Sequence, residues 1–187
     1  MNYKDYQKSR DLAWRVLIGE NVRELPVMVG SLCRNMGIKV RYYSPRGQDD
    51  GYSMIADGQP WIFVSSACGT DRQRFTVAHE LGHILLGHVG AYELVNREPS
   101  ANDNQIEHAA NVFASRLLAP ACVLWALDVW TPEKISALCR ISYQSAQFRA
   151  RRMAELRGRG KFLSSPLERA VYAQFEDFIR LKKSEKL

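Results

Sequence analysis

Residues 75–88, FTVAHELGHILLGH, hold three of the four histidines in the chain. His79 and His83 are four positions apart. On a helix that spacing puts both on one face, where each can aim a ring nitrogen at a single ion. Glu80 sits one step round, close enough to reach a water at that ion and wrongly placed to be a third ligand from the same helix. Two imidazoles on a divalent metal, with a carboxylate that takes a proton from water, are the parts peptide hydrolysis needs. An amphipathic helix with incidental histidines is the plainer reading, and the His-Glu-x-x-His spacing weighs against it.

A metal held by two histidines needs a third protein ligand. The long form of the motif, H-E-x-x-H-x-x-G-x-x-H, requires glycine at 86 and histidine at 89. Leu86 and Val89 stand there, so His88 is one residue out of register and reads as a helix-end histidine. The alternative is a carboxylate from a second helix, and Glu107 lies 24 residues beyond His83 in NQIEHAANVFASRLLAP. One turn further on the same face is Asn111. Its side-chain oxygen can accept the spare ring N–H of a ligand histidine and fix that ring's tautomer. A mid-helix asparagine bonded to local backbone is the competing reading. His108 is turned about 100° from Glu107 on such a helix, which makes sharing the ion awkward. It reads as a surface histidine, or as a contact to substrate. Tyr92 and Tyr143 are further candidates for an oxyanion partner, and Asp103 reads as an N-terminal helix residue.

These side chains need two helices to carry them. Thr70 is in position to cap the motif helix with Gln73 three residues on, and Phe75, Ala78, Leu81 and Leu85 supply its apolar stripe. Gly87 is a plausible stop. Residues 89–102 have the Gly, Pro, Ser and Asn of a loop. A second helix over 103–118 has Ile106, Ala110, Phe113 and Leu117 on one stripe and ends before Pro120. Upstream, 3–18 and 22–36 read as helices and 38–43 as a strand. Residues 51–66 read as a hairpin turning at Asp57-Gly58, which gives an antiparallel sheet of about three strands. Downstream, Thr131-Pro132-Glu133 opens a short helix, 141–156 forms another, and Ser165-Pro166 starts a last one.

The composition suits one good-sized core: 187 residues, 46% apolar and 25% charged. Cys33, Cys68, Cys122 and Cys139 form no C-x-x-C pair and read as idle thiols in a reducing compartment. The polar N-terminus is no secretory signal, and the apolar run 117–127 is too short to span a bilayer. The expectation is a cytoplasmic protein with no membrane contact. The net charge is +6, and its basic excess lies in residues 131–187, where 13 Lys and Arg meet 6 Asp and Glu. Solvated helix faces account for that excess; a nucleic-acid or acidic partner is the sharper alternative.

RFTVAHELGHILLGH followed by IEHAANVFASRLLAP resembles the ImmA/IrrE family of metallopeptidases. There a histidine helix is followed by a glutamate helix ending in an AN-x-FA-x-x-LL-x-P block. Here that block reads Ala110-Asn111, Phe113-Ala114, Leu117-Leu118 and Pro120, with Ala119 where a bulkier Met is usual. The resemblance implies that His79, His83 and Glu107 bind Zn2+, that Glu80 is the general base, and that Asn111 supports a ligand ring. It implies an α+β fold with a zincin-like core, mostly helical with a small antiparallel sheet, over residues 1–128. A basic, helix-turn-helix-like helical subdomain with a tail helix then covers 129–187. Arg149, Arg151 and Arg152 of that subdomain are candidates for a weak DNA contact, against a plain helix pair packed on the core. The closing SPLERAVYAQFEDFI resembles C-terminal extensions of members carried by mobile elements. The implied activity is a zinc-dependent endopeptidase that cleaves a helix-turn-helix repressor of a phage or mobile element. A non-proteolytic DNA-binding regulator with structural zinc is the alternative.

Overall fold

The computed structural model describes residues 3–44, 50–89 and 103–185. Its elements in chain order are α1 (Tyr3–Gly19), α2 (Val29–Asn35), β1 (Lys39–Tyr43), β2 (Gly51–Ala56), β3 (Gln59–Ser65), α3 (Thr70–Leu86), α4 (Asp103–Leu118), α5 (Ala121–Ala126), α6 (Pro132–Cys139), α7 (Tyr143–Gly158), α8 (Pro166–Gln174) and α9 (Glu176–Ser184). They gather into two compact units. One comprises residues 1–10 and 28–114, the other residues 11–27 and 115–187.

In the first unit the Asp57-Gly58 turn folds β2 back on β3. Both turn residues have positive φ, 51° and 72°, as a two-residue hairpin turn of this kind demands. The register pairs Ser53 with Ile62 and Tyr52 with Phe63. Ile62 and Val64 are fully buried, and by strand alternation Ser53 shares their face. The opposite face carries Tyr52, Phe63 and Trp61, whose rings stack at 4.9 and 6.0 Å.

The sheet is mixed, which corrects the expected antiparallel one. β1 runs parallel to β3, and the strand order is β1-β3-β2. The connection after β1 therefore delivers the chain to the far edge, and the hairpin then returns β3 to the centre. Its apolar, β-branched residues suit burial there better than the charged Lys39 and Arg41 of β1.

Three helix expectations also change. Residues 22–28 are not helical, because Pro26 has no N–H to give and disfavours helix at the residue before it. Thr70 is the first helical residue, not the cap; Gly69 precedes it, and Gln73 instead donates its side-chain amide to the carbonyls of Ser65 and Cys68. The last helix is two, interrupted at Phe175, whose ring is fully buried and meets Phe178 edge-on at 6.3 Å.

The second unit contains α5 to α9 and the C-terminal half of α1. Thr131 caps α6 and Ser142 caps α7 with side-chain hydrogen bonds, and Arg140 takes a left-handed conformation between them. The Gln174 amide donates to the carbonyls of Leu17 and Val22. Cys33, Cys122 and Cys139 are buried and Cys68 is half-buried, all as free thiols. Burial pushes the Cys33 and Cys122 thiols up to about 12. The run Gln105–Ala126 is long and apolar enough to cross a membrane, yet 83% of its most apolar window is buried inside the fold, as in a core helix.

The approach of α3 to α4 is set by one small residue. A Cβ on Gly82 would lie 2.9 Å from Cδ1 of Phe113, inside van der Waals contact. Phe113 is fully buried, and burial of such a ring stabilises by about 1.5–3 kcal/mol. Gly82→Ala forces this ring or α4 outward at a cost of about 1–3 kcal/mol. The expected readout is a lower thermal midpoint, partly restored by adding Phe113→Leu; an unchanged midpoint in Gly82→Ala would show that α4 yields freely.

Candidate metal centre

The first unit brings His79 and His83 of α3 against Glu107 of α4. The two Nε2 atoms are 3.0 Å apart. Glu107 reaches them with different oxygens, Oε2 at 3.1 Å from His79 and Oε1 at 3.3 Å from His83. The two imidazole nitrogens and the two carboxylate oxygens thus face one another with neighbouring atoms 3.0–3.3 Å apart. Tetrahedral coordination at about 2.0–2.1 Å places ligand atoms about 3.3–3.4 Å apart, so the donors fit a divalent metal in both chemistry and size. His83 is buried, whereas the Glu107 side chain is 55% exposed, so the cluster opens on the carboxylate side.

The electrostatics follow from this contact. Hydrogen bonds from His79 and then His83 hold the Glu107 carboxyl well below the usual carboxylate range. At His79 burial opposes the charged ring, but the hydrogen bond to Glu107 and the charges of Glu80 and Glu107 outweigh it and raise the pKa.

Each remaining ring nitrogen of the two histidines has a partner. Asn111 lies one turn beyond Glu107, and its Oδ1 is 3.0 Å from His79 Nδ1. An amide oxygen only accepts, so Nδ1 carries a proton in this bond, and a metal in place of the Nε2 proton would take that nitrogen's lone pair. His83 Nδ1 meets His88 Nδ1 at 3.2 Å. Burial, then the charges of His83 and Lys8, push the His88 imidazolium down to about 4.

Glu80 is also buried, at 8% exposure. Its Oε2 accepts a 2.7 Å hydrogen bond from the Ser53 hydroxyl on β2. Ser53 is a residue the sequence reading missed. The available signal was a polar side chain at a core-facing position of the hairpin, and its partner on α3 follows only from the packing of sheet on helix. Gly51 permits that packing, since a Cβ there would lie 2.5 Å from the Phe63 carbonyl and 2.6 Å from Thr76 Cγ2.

Among the described residues, the metal-ligating cluster comprises His79, His83 and Glu107. His108 is exposed on α4. Tyr143 belongs to the second unit, where its hydroxyl donates to Glu133. Tyr92 lies outside the described residues. Arg149 is 2% exposed and so unavailable to a phosphate backbone. Arg152 pairs with Glu155, and Arg151 lies over the Phe148 ring.

Loss of the Asn111 oxygen leaves the His79 N–H without its acceptor. Asn111→Ala is expected to weaken metal binding by about 10–100-fold, measured by competition with a chromophoric chelator. Asn111→Asp, which keeps an acceptor in place, is expected to retain most of the affinity. Equal affinity in Asn111→Ala and wild type would remove the supporting role.

Among curated proteins, none matches the chain. The family model for Peptidase_M78, the IrrE N-terminal-like domain, matches residues 33–151. That span includes the sheet, both helices of the cluster, α6 and the first half of α7. The chain therefore belongs to the IrrE N-terminal-like family of metallopeptidases.

Proposed function

We propose that this chain is a zinc-dependent endopeptidase, with His79, His83 and Glu107 as the ligands and Glu80 as the general base. The observation that carries the reading is the pair of imidazole nitrogens 3.0 Å apart with the Glu107 oxygens 3.1 Å from His79 and 3.3 Å from His83, and a buried carboxylate on the adjacent Glu80. Zinc bound there supplies a Lewis acid that polarises the scissile carbonyl and makes water easier to deprotonate at neutral pH.

The protein's own groups do the rest. Ser53 occupies Oε2 of Glu80 and leaves Oε1 to accept a proton from the attacking water. The water oxygen bonds to the carbonyl carbon, the C–N bond breaks, and Glu80 returns the proton to the departing amine. No covalent intermediate with the enzyme is needed. His-His-Glu also suits Mn2+ or Fe2+, so metal analysis belongs in the same experiment.

β2 offers a means of holding substrate. It is an edge strand among the described residues, and it carries Ser53 to the general base. An extended peptide adding to that edge makes main-chain hydrogen bonds, which selects flexible segments over folded ones. By family resemblance the target is a helix-turn-helix repressor of a phage or mobile element, cleaved in the cytoplasm. The alternative, a DNA-binding regulator, is weakened by the burial of Arg149.

Two variants test the assignment. Glu80→Gln should keep one zinc per chain and lose about 10²–10⁴-fold in kcat/KM on a repressor or peptide-library substrate, followed by mass spectrometry. Glu107→Ala should lose the zinc. Undiminished cleavage by Glu80→Gln would sink the mechanism, and full zinc in Glu107→Ala would remove the ligand assignment.

A further inference from the structure

His88 falls outside every register of the zinc motif, yet its imidazole lies against a proposed ligand. Helix α3 stops at Leu86, and Gly87 takes a left-handed conformation with φ 75°. That turn folds the chain back, so the His88 N–H donates to the His83 carbonyl at 2.9 Å. This is the bond from the second residue past a helix end that a left-handed terminating residue makes available. A continued helix would carry position 88 about 140° round from His83. The turn instead brings the two rings edge to face, with centroids 5.2 Å apart at 70°. The close atoms are the two Nδ1 nitrogens, 3.2 Å apart.

We infer that His88 is a positioning residue of the metal site, accepting the Nδ1–H of His83 and so fixing the ring that presents Nε2 to the metal. The inference rests on the zinc-site reading above. A neutral imidazole has one proton. If His83 gives its Nε2 lone pair to the cluster, the proton is on Nδ1 and needs an acceptor. His88 Nδ1 is the acceptor in place, which puts the proton of His88 itself on Nε2. His79 has the same arrangement with an amide oxygen, through Asn111. The two ligand rings are thus oriented by different means, one from α4 and one from the turn that ends α3. His88 borders a cavity of about 220 Å³ with Lys8, Leu86 and Ile106 among its walls.

The test measures zinc affinity in the full chain by chelator competition, comparing wild type with His88→Phe, His88→Asn and His83→Ala. His88→Phe should keep one zinc per chain and bind it about 10–100-fold more weakly. His88→Asn, whose amide oxygen can take the place of Nδ1, should recover most of the loss. The Co2+-loaded protein should keep a tetrahedral absorption spectrum in both. An affinity for His88→Phe within about twofold of wild type overturns the inference. So does a loss as complete as that of His83→Ala, which would make His88 a direct ligand. Wild type that takes up no divalent metal fails at the earlier step, and the zinc-site reading falls with it. Nitrogen-15 NMR of zinc-loaded wild type needs no variant: His88 should be protonated on Nε2 and bare on Nδ1, and the opposite tautomer would also overturn the assignment.

Discussion

The centre depends on the distance between two helices. His79 and His83 share a face of α3 by spacing alone, but the third donor comes from α4, and its reach is fixed where Gly82 meets Phe113. Gly82 lies within the His-Glu-x-x-His segment itself. One residue type thus serves both chemistry and packing: the absence of a side chain on the helix face beside the histidines lets an aromatic ring close the gap. Phe113 lies on α4, like Glu107 and Asn111, so the buried ring anchors the helix that carries the polar groups.

Around this contact the polar groups are arranged in pairs. Glu107 divides its two oxygens between two rings, Asn111 and His88 meet the outer nitrogens, and Ser53 holds one oxygen of Glu80. Each of these groups is costly to leave unpartnered when buried. Supporting bonds also come from separate elements: β2, α4 and the turn after α3. Side chains that lie in orderly rotamers because their neighbours hold them are ready for a task without further rearrangement.

What the sequence made legible was local. The four-residue spacing of the histidines, the turn at Asp57-Gly58, the stop at Gly87 and the cap at Thr131 all follow from the residue and its immediate neighbours. The placement of Glu107 across from the histidines needed the family resemblance as well as helical periodicity. What stayed hidden was set by packing. The parallel pairing of β1 with β3 depends on which strand is apolar enough for the centre. The fully buried Arg149 looked like one more basic residue on a charged helix. His88 reads from sequence as a helix-end histidine and lies just past the end of α3; that its ring folds back onto His83 depends on the left-handed turn at Gly87.

The hairpin turn has a consequence well away from its own two residues. Strand side chains alternate with a period of two, so the turn sets the parity of everything upstream in β2. With Asp57-Gly58 at the corner, Ser53 falls on the even count and faces the helix, and Tyr52 and Met54 fall on the odd and face away. A turn longer or shorter by one residue would offer an aromatic ring or a thioether to the carboxylate of Glu80, and the sheet would be no less well paired. The chemistry of the buried acid is therefore keyed to the length of a loop that never touches it.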